Sequence, residues 1–200
     1  SADFFEGQTF DALELAQARI VGKEFFRCAF TSCKLADARL ERCSFERCTF
    51  DDCDMTQVKM PHTGLHGVNL TRSKLAGANL SGVNENVEVT FTECLMRFVV
   101  AADLNLREAV FTDCELREAS FTSCSFVDAD FVRCDLGSAT FDRCELGGAD
   151  FSTSTNVFLD PRRNTTKGAF VAVETAVLLA HASGFAVAGY DAAPKRKKAR

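Results

Sequence analysis

A chain of 200 residues, 46% hydrophobic and 26% charged, is sized for one folded unit with a short appendage. No apolar run approaches the ~20 residues a membrane helix needs, and no charged start leads into an apolar stretch, so no membrane span and no signal peptide is expected, and a cytoplasmic location is. The formal net charge of −5 argues against direct DNA binding by the folded part.

From Phe5 onward a large apolar residue recurs at every fifth position: Phe5, Phe10, Leu15 and Ile20 open the series, which runs unbroken to Leu80. A period of five belongs to neither an ordinary helix nor a strand. A unit too short to bury its own apolar side chain must stack on copies of itself. Two residues ahead runs a second series of small residues, among them Cys28, Cys33, Ala38, Cys43, Cys48 and Cys53, so small and large side chains alternate inward. The other three positions of each five are mostly Asp, Glu, Arg, Thr, Ser and Gly, as a solvated surface with frequent turns requires.

Between Leu80 and Phe91 the segment SGVNENVEVTF adds one residue to the beat, read here as a bulge or small loop over residues 84–87 within a phase shift near 83–90; residues 61–67 are a softer irregularity that keeps the phase. In LMRFVVAADLNL, Ala101 replaces a large inward residue and Leu104 a small one, and Phe98 and Val100 point outward. Two readings stand: local compensation of packing, or an exposed apolar contact site. The beat continues to Phe151, and Pro161 opens a different segment. There Val173, Ala176, Val177 and Ala180 lie at helical spacing, Leu178 and Leu179 widen the apolar face, and Gly184 is placed to end the helix. Phe185, Val187 and Tyr190 read as a brief extended stretch. A helix this apolar must bury itself, and self-association through Val173, Ala176, Val177, Leu178, Leu179, Ala180, Phe185 and Val187 is the expectation, with plugging of the solenoid end as the other possibility. The resulting division is a repeat region over 1–156, a capping and dimerisation segment over 157–190, and a basic, disordered tail over 191–200 that ends in KRKKAR.

Phrases such as CELREASFTSCSFVDADFVRCDLGSATFDRCELGGADF resemble the pentapeptide repeat family. The resemblance implies an all-β solenoid, a right-handed quadrilateral β-helix in which four pentapeptides make one square coil and residues twenty apart stack, followed here by a short C-terminal α-helix. Phe10, Phe30, Phe50 and Leu70 then share one column, Phe5, Phe25, Phe45 and Leu65 a second, and Phe111, Phe131 and Phe151 a third. The ending FLDPRRNTTKGAFVAVETAVLLAHASGFAV is similar to the closing segment of Qnr-type members. That similarity implies a homodimer that imitates a rod of double-stranded DNA, binds DNA gyrase or topoisomerase IV, and protects the enzyme from quinolones or natural topoisomerase poisons. Unlike many of them, this chain has no long loop projecting from the coil.

Charge tests that implication. From Phe91 to Asp160 there are 13 acids against five basic residues, a net charge of −8 out of −11 for Ser1 to Asp160, so the acidity gathers toward the end that would dimerise. Column arithmetic places Glu93, Asp113, Glu115 and Asp135 on one face and Glu108, Asp128, Asp130 and Asp150 on the next. Joined end to end, two copies would present a continuous negative stretch about as wide as a duplex. Acids also simply keep a solenoid soluble, which leaves a structural or scaffolding solenoid that binds another protein as the alternative.

Ten cysteines invite a metal or redox reading. Zinc ligands usually lie two to four residues apart, whereas every one of these cysteines takes the small inward position of a five-residue unit, so they read as free thiols acting as small buried hydrophobes. His62, His66 and His181 have no matching nucleophile and carboxylate pattern. No catalytic group, metal or cofactor is expected.

Overall fold

A computed structural model describes residues 3–191. Its strands are two to four residues long, and all pair in parallel with strands about twenty residues away. That pairing makes a right-handed quadrilateral β-helix. One face is a nine-stranded parallel sheet running from Thr9–Asp11 through Val68–Thr71 and Val89–Thr92 to Asp150–Phe151 and Phe170–Val171. Nine strands at ~4.8 Å give a rod of about 38 Å.

The corners explain the five-residue unit. Residues such as Asp37, Gln57, Glu118 and Ser138, at one corner away from that sheet, have φ between 56° and 60°, and there Ala38 N–H bonds to Leu35 carbonyl at 3.0 Å, closing a turn whose third residue is left-handed. Polar residues with short or flexible side chains tolerate that conformation best, which is why the corner positions are almost all polar.

Inside, each large residue stacks on its equivalents. The rings of Phe25 and Phe45 lie 4.8 Å apart, those of Phe30 and Phe50 4.6 Å, and those of Phe131 and Phe151 4.4 Å, all near-parallel. Rings on adjacent faces meet edge-on, as Phe121 and Phe126 do at 5.1 Å and 87°. The column of Phe10 and the column of Phe151 are one, against the sequence-based assignment to two. Leu70 pairs with Phe91, and Phe91 with Phe111. The extra residue is absorbed on the preceding face, where Asn84 N–H still bonds to Thr63 carbonyl in ordinary register but Glu88 N–H reaches back to Leu65 carbonyl. Leu70 therefore stacks under a residue 21 positions later, and the ladder continues straight through the shift in numbering.

All ten cysteines are free and buried. Their thiols donate to carbonyls of the coil beneath, as Cys48 does to Phe25 at 3.4 Å and Cys134 to Phe111 at 3.4 Å. Where Thr63, Ser73 and Ser154 replace cysteine, a hydroxyl takes the same bond: Thr63 donates to Leu40 carbonyl at 2.9 Å and Ser154 to Phe131 carbonyl at 2.7 Å. Burial pushes the Cys48 thiol up to about 11 and that of Cys53 to about 12. Cys114, hydrogen-bonded to Cys134 and Cys94 and buried between them, is also pushed up. Thiols this protonated are inert at neutral pH.

Beyond Phe151 the coil is closed by Val157 and Leu159, both buried, and by the helix Val173–Ala182. The helix ends where Gly184 N–H bonds to His181 carbonyl and Phe185 N–H to Ala180 carbonyl, both at 2.9 Å, with Gly184 at φ +85°. That is a Schellman cap, and it requires a left-handed residue. The segment after it is not extended. Tyr190 and Asp191 N–H groups both turn back to Val187 carbonyl, and the Asp191 carboxylate accepts from Val187 N–H and bonds His181 Nε2, each at 2.6 Å. Asp191 thus belongs to the cap rather than to the basic tail. The rest of that tail lies outside the described residues.

Candidate protein-binding surface

The acidic residues singled out from the sequence stand in four vertical rows. Glu93 and Asp113 occupy one corner, continued by Arg133, and Glu115 and Asp135 form a bridge ladder on the face beside it. Glu108 and Asp128 occupy another corner, and Asp130 pairs with Asp150 on the adjoining nine-stranded face. Gly148 follows Asp128 in its row at φ +72°, where a Cβ would run into the Asp128 carboxylate.

Half of these acids carry a cation of their own. Arg133 grips Asp113 with two bonds of 2.7 and 2.6 Å, holding that carboxyl below its ordinary range. Burial works against ionisation of Asp135, but bonds from Asn156 at 2.8 Å and Arg117 at 3.0 Å outweigh it and lower its pKa. Arg97 lies 3.6 Å from Glu115 and Arg107 3.4 Å from Asp128. Among the described residues Glu93, Glu108, Asp130 and Asp150 make no ion pair. Residue counting therefore overstates the free negative charge, because arginines one coil away reach along the rod to neutralise part of it.

The terminal helix divides the proposed dimerisation residues. Val173, Ala176, Leu178 and Phe185 are exposed, with Phe185 at 68% and Val173 at 62%. Leu179, Ala180 and Val187 are half-buried, and Val177 is buried within its own protomer together with Thr175, so Val177 has no side-chain surface to offer a partner. Sequence reasoning missed Phe170, 65% exposed, and Tyr190, 57% exposed, which belong to the same apolar end. Phe170 stands directly above Asp150 and Asp130 in the ladder, but the same outward row also holds Val110 and Ala29, so an apolar residue there is no distinctive signal in the sequence.

Phe98 and Val100 point outward, 48% and 42% exposed, while Ala101 and Leu104 are buried. Leu95, 45% exposed, joins them and was not anticipated. His62 and His66 line a shallow groove with Asn84, Glu85 and Asn86 beside the phase shift. Among the described residues no group of three or more His, Cys, Asp or Glu converges to hold a metal, and no helix is long and apolar enough to cross a membrane.

An acidic β-solenoid built from stacked five-residue units, with an exposed apolar end, defines a class of repeat rods. Within that class the chain belongs to the pentapeptide repeat family: the model of the pentapeptide repeat region matches residues 23–97 and 87–151. No curated protein sequence matches the chain. Among solved structures, one trypsin-treated variant of QnrB1, described as a plasmid-mediated fluoroquinolone resistance protein, is similar with a TM-score of 0.70 at 17% identity, covering 93% of this chain and 97% of that one. A second variant of QnrB1 gives 0.68 at 17% identity, over 93% and 98%. HetL, a pentapeptide repeat protein involved in heterocyst differentiation regulation from the cyanobacterium Nostoc sp. strain PCC 7120, gives 0.51 at 14% identity, over 84% and 86%. At these identities the likeness concerns the fold.

Proposed function

We propose that two copies of this chain join through the apolar C-terminal end and that the resulting rod binds DNA gyrase or topoisomerase IV in place of DNA, protecting it from quinolones or natural poisons. The observation that carries this reading is that unpaired acids run along the C-terminal half of the rod, from Glu93 beside its middle strand through Glu108 and Asp130 to Asp150, toward a helix segment whose Val173, Leu178 and Phe185 are exposed. An end-to-end pair would bring both acidic stretches together across its middle. A groove built to neutralise phosphates attracts such a surface, since charge neutralisation dominates binding there. The fold likeness to a fluoroquinolone resistance protein supports the choice of partner. No bond is made or broken in this mechanism. The protein acts by occupying a site.

The likeness to HetL, a regulator of differentiation, favours a second reading in which the rod is a scaffold for a different protein. A supercoiling assay separates the two. The unmodified protein should preserve gyrase activity in the presence of a poison. Replacing Glu93, Glu108 and Asp130 together by Lys should abolish protection while shifting stability by no more than about 0.5 kcal/mol per site, the usual range for exposed positions. Equal protection by both proteins removes the DNA-mimic mechanism and leaves the scaffold.

A further inference from the structure

Phe98 breaks a rule that the rest of the rod obeys. Of the 23 non-glycine residues with positive φ among those described, 22 are polar, charged or alanine, and Phe98, at φ +59°, is the exception. A bulky side chain in that conformation is an outlier that the fold does not need, because Gly77 holds the same corner one coil earlier and Glu118 one coil later. Two nearby residues, without positive φ themselves, break the polar pattern of their own outward rows. Leu95 stands in a row formed by Glu14, Lys34, Asp54, Lys74, Glu115, Asp135 and Thr155. Val100 stands in a row with Asn79, Ser120 and Thr140. Three adjacent outward positions that are polar in the coils around them are apolar in this coil alone, and all three are more than 40% exposed.

Strain and exposed apolar surface concentrated at one place point away from folding and toward recognition. The surroundings say of what. Glu93 occupies the corner before the patch, Asp103 the corner after it, and Glu118 the next position in the row of Phe98; none of the three makes an ion pair among the described residues. The nearby cations are mostly engaged: Arg72 pairs with Asp51 at 2.6 Å, Arg117 with Asp135 at 3.0 Å, and Arg97 lies 3.6 Å from Glu115 and 5.5 Å from the centre of the Phe98 ring, while Lys74 stands below Leu95 in its row.

We propose that Leu95, Phe98 and Val100 form an apolar wedge, rimmed by acids, that enters an apolar recess in the basic surface of the topoisomerase. The inference rests on the proposed function and adds to it a contact that DNA itself does not make. The acids guide the rod to any phosphate-binding groove, and the wedge selects the groove that has the recess. Rim charges govern encounter and salt dependence, while a buried aromatic anchor governs how long the complex lasts.

The test replaces each residue by one that another coil already carries in the same row: Leu95→Thr, Phe98→Gly and Val100→Ser in one protein. Its melting temperature should equal or exceed that of the unmodified protein. Binding to purified gyrase, measured across a salt series, should weaken about tenfold or more, as loss of a buried aromatic anchor does, with the salt slope unchanged. Undiminished binding overturns the wedge and leaves the DNA-mimic reading standing. Absence of binding by the unmodified protein removes both. Conversion of the variant from dimer to monomer in light scattering identifies the patch as a contact between copies and also overturns the proposal.

Discussion

The two halves of the rod share one core and differ in surface and in closure. From Ser1 to Leu80, 11 acids face ten basic residues, whereas from Phe91 to Asp160 the balance is 13 to five. In the first half basic residues neutralise the acids along the rod, as Lys34 does Glu14 at 2.6 Å and Arg72 does Asp51 at 2.6 Å. The ends differ as well. At the N-terminal mouth Phe5, Phe10, Leu15 and Ile20 are half-buried around an apolar hollow, while at the other end Val157, Leu159 and the helix cover the last coil and leave a fresh apolar face outside. The inward positions are dictated by stacking and cannot vary by half; the outward positions are free of that constraint, so charge and exposed apolar side chains can differ between the halves without disturbing the core.

That comparison can be broken most forcefully in the core. Phe131 is stacked between Phe111 and Phe151 and is 1% exposed, so Phe131→Ala should cost about 3–5 kcal/mol in denaturant unfolding, the range for a buried aromatic. Phe10, on the edge strand and stacked in its column on Phe30 alone with its other face open, should lose roughly half as much on the same change. Equal losses at both sites would mean that the N-terminal mouth is covered in solution. The second test concerns closure. Leu178→Asp combined with Phe185→Asp should halve the mass seen by light scattering and leave the β-helix folded, because both side chains are exposed in the protomer; a persisting dimer places the interface elsewhere. Leu179 is the wrong target, since it is half-buried and its replacement disturbs the cap itself.

The smallest effect sharpens the charge comparison. Arg133 depresses the Asp113 pKa, so the pair's contribution is fully present above the ordinary carboxylate value of about 3.9 and is lost as pH falls through the depressed one. The melting-temperature difference between the unmodified protein and Asp113→Asn should accordingly be present at pH 7 and vanish in strong acid. A difference that persists there would assign the effect to packing, not charge.

The five-residue beat was sufficient to require stacked copies of one short unit, and the family resemblance supplied the four-sided coil. Stacking of identical units admits one inward set, and that set names the core residues, the buried cysteines and the outward acids without any knowledge of contacts. The helix was legible over most of its length for the same reason, through the spacing of its apolar residues and Gly184. What the order of residues did not disclose is everything that depends on neighbours one coil away. The union of the Phe10 and Phe151 columns required the hydrogen-bond ladder between Leu70 and Phe91, since an inserted residue looks the same in sequence wherever the backbone absorbs it. The neutralisation of Asp113 and Asp135 depended on arginines 20 and 18 residues distant reaching along the rod. The burial of Val177, the turn that Asp191 clasps against His181, and the exposure of Leu95 beside Phe98 were decided only when separate segments met, because burial and pairing are properties of contacts in space and a local pattern encodes only what repeats.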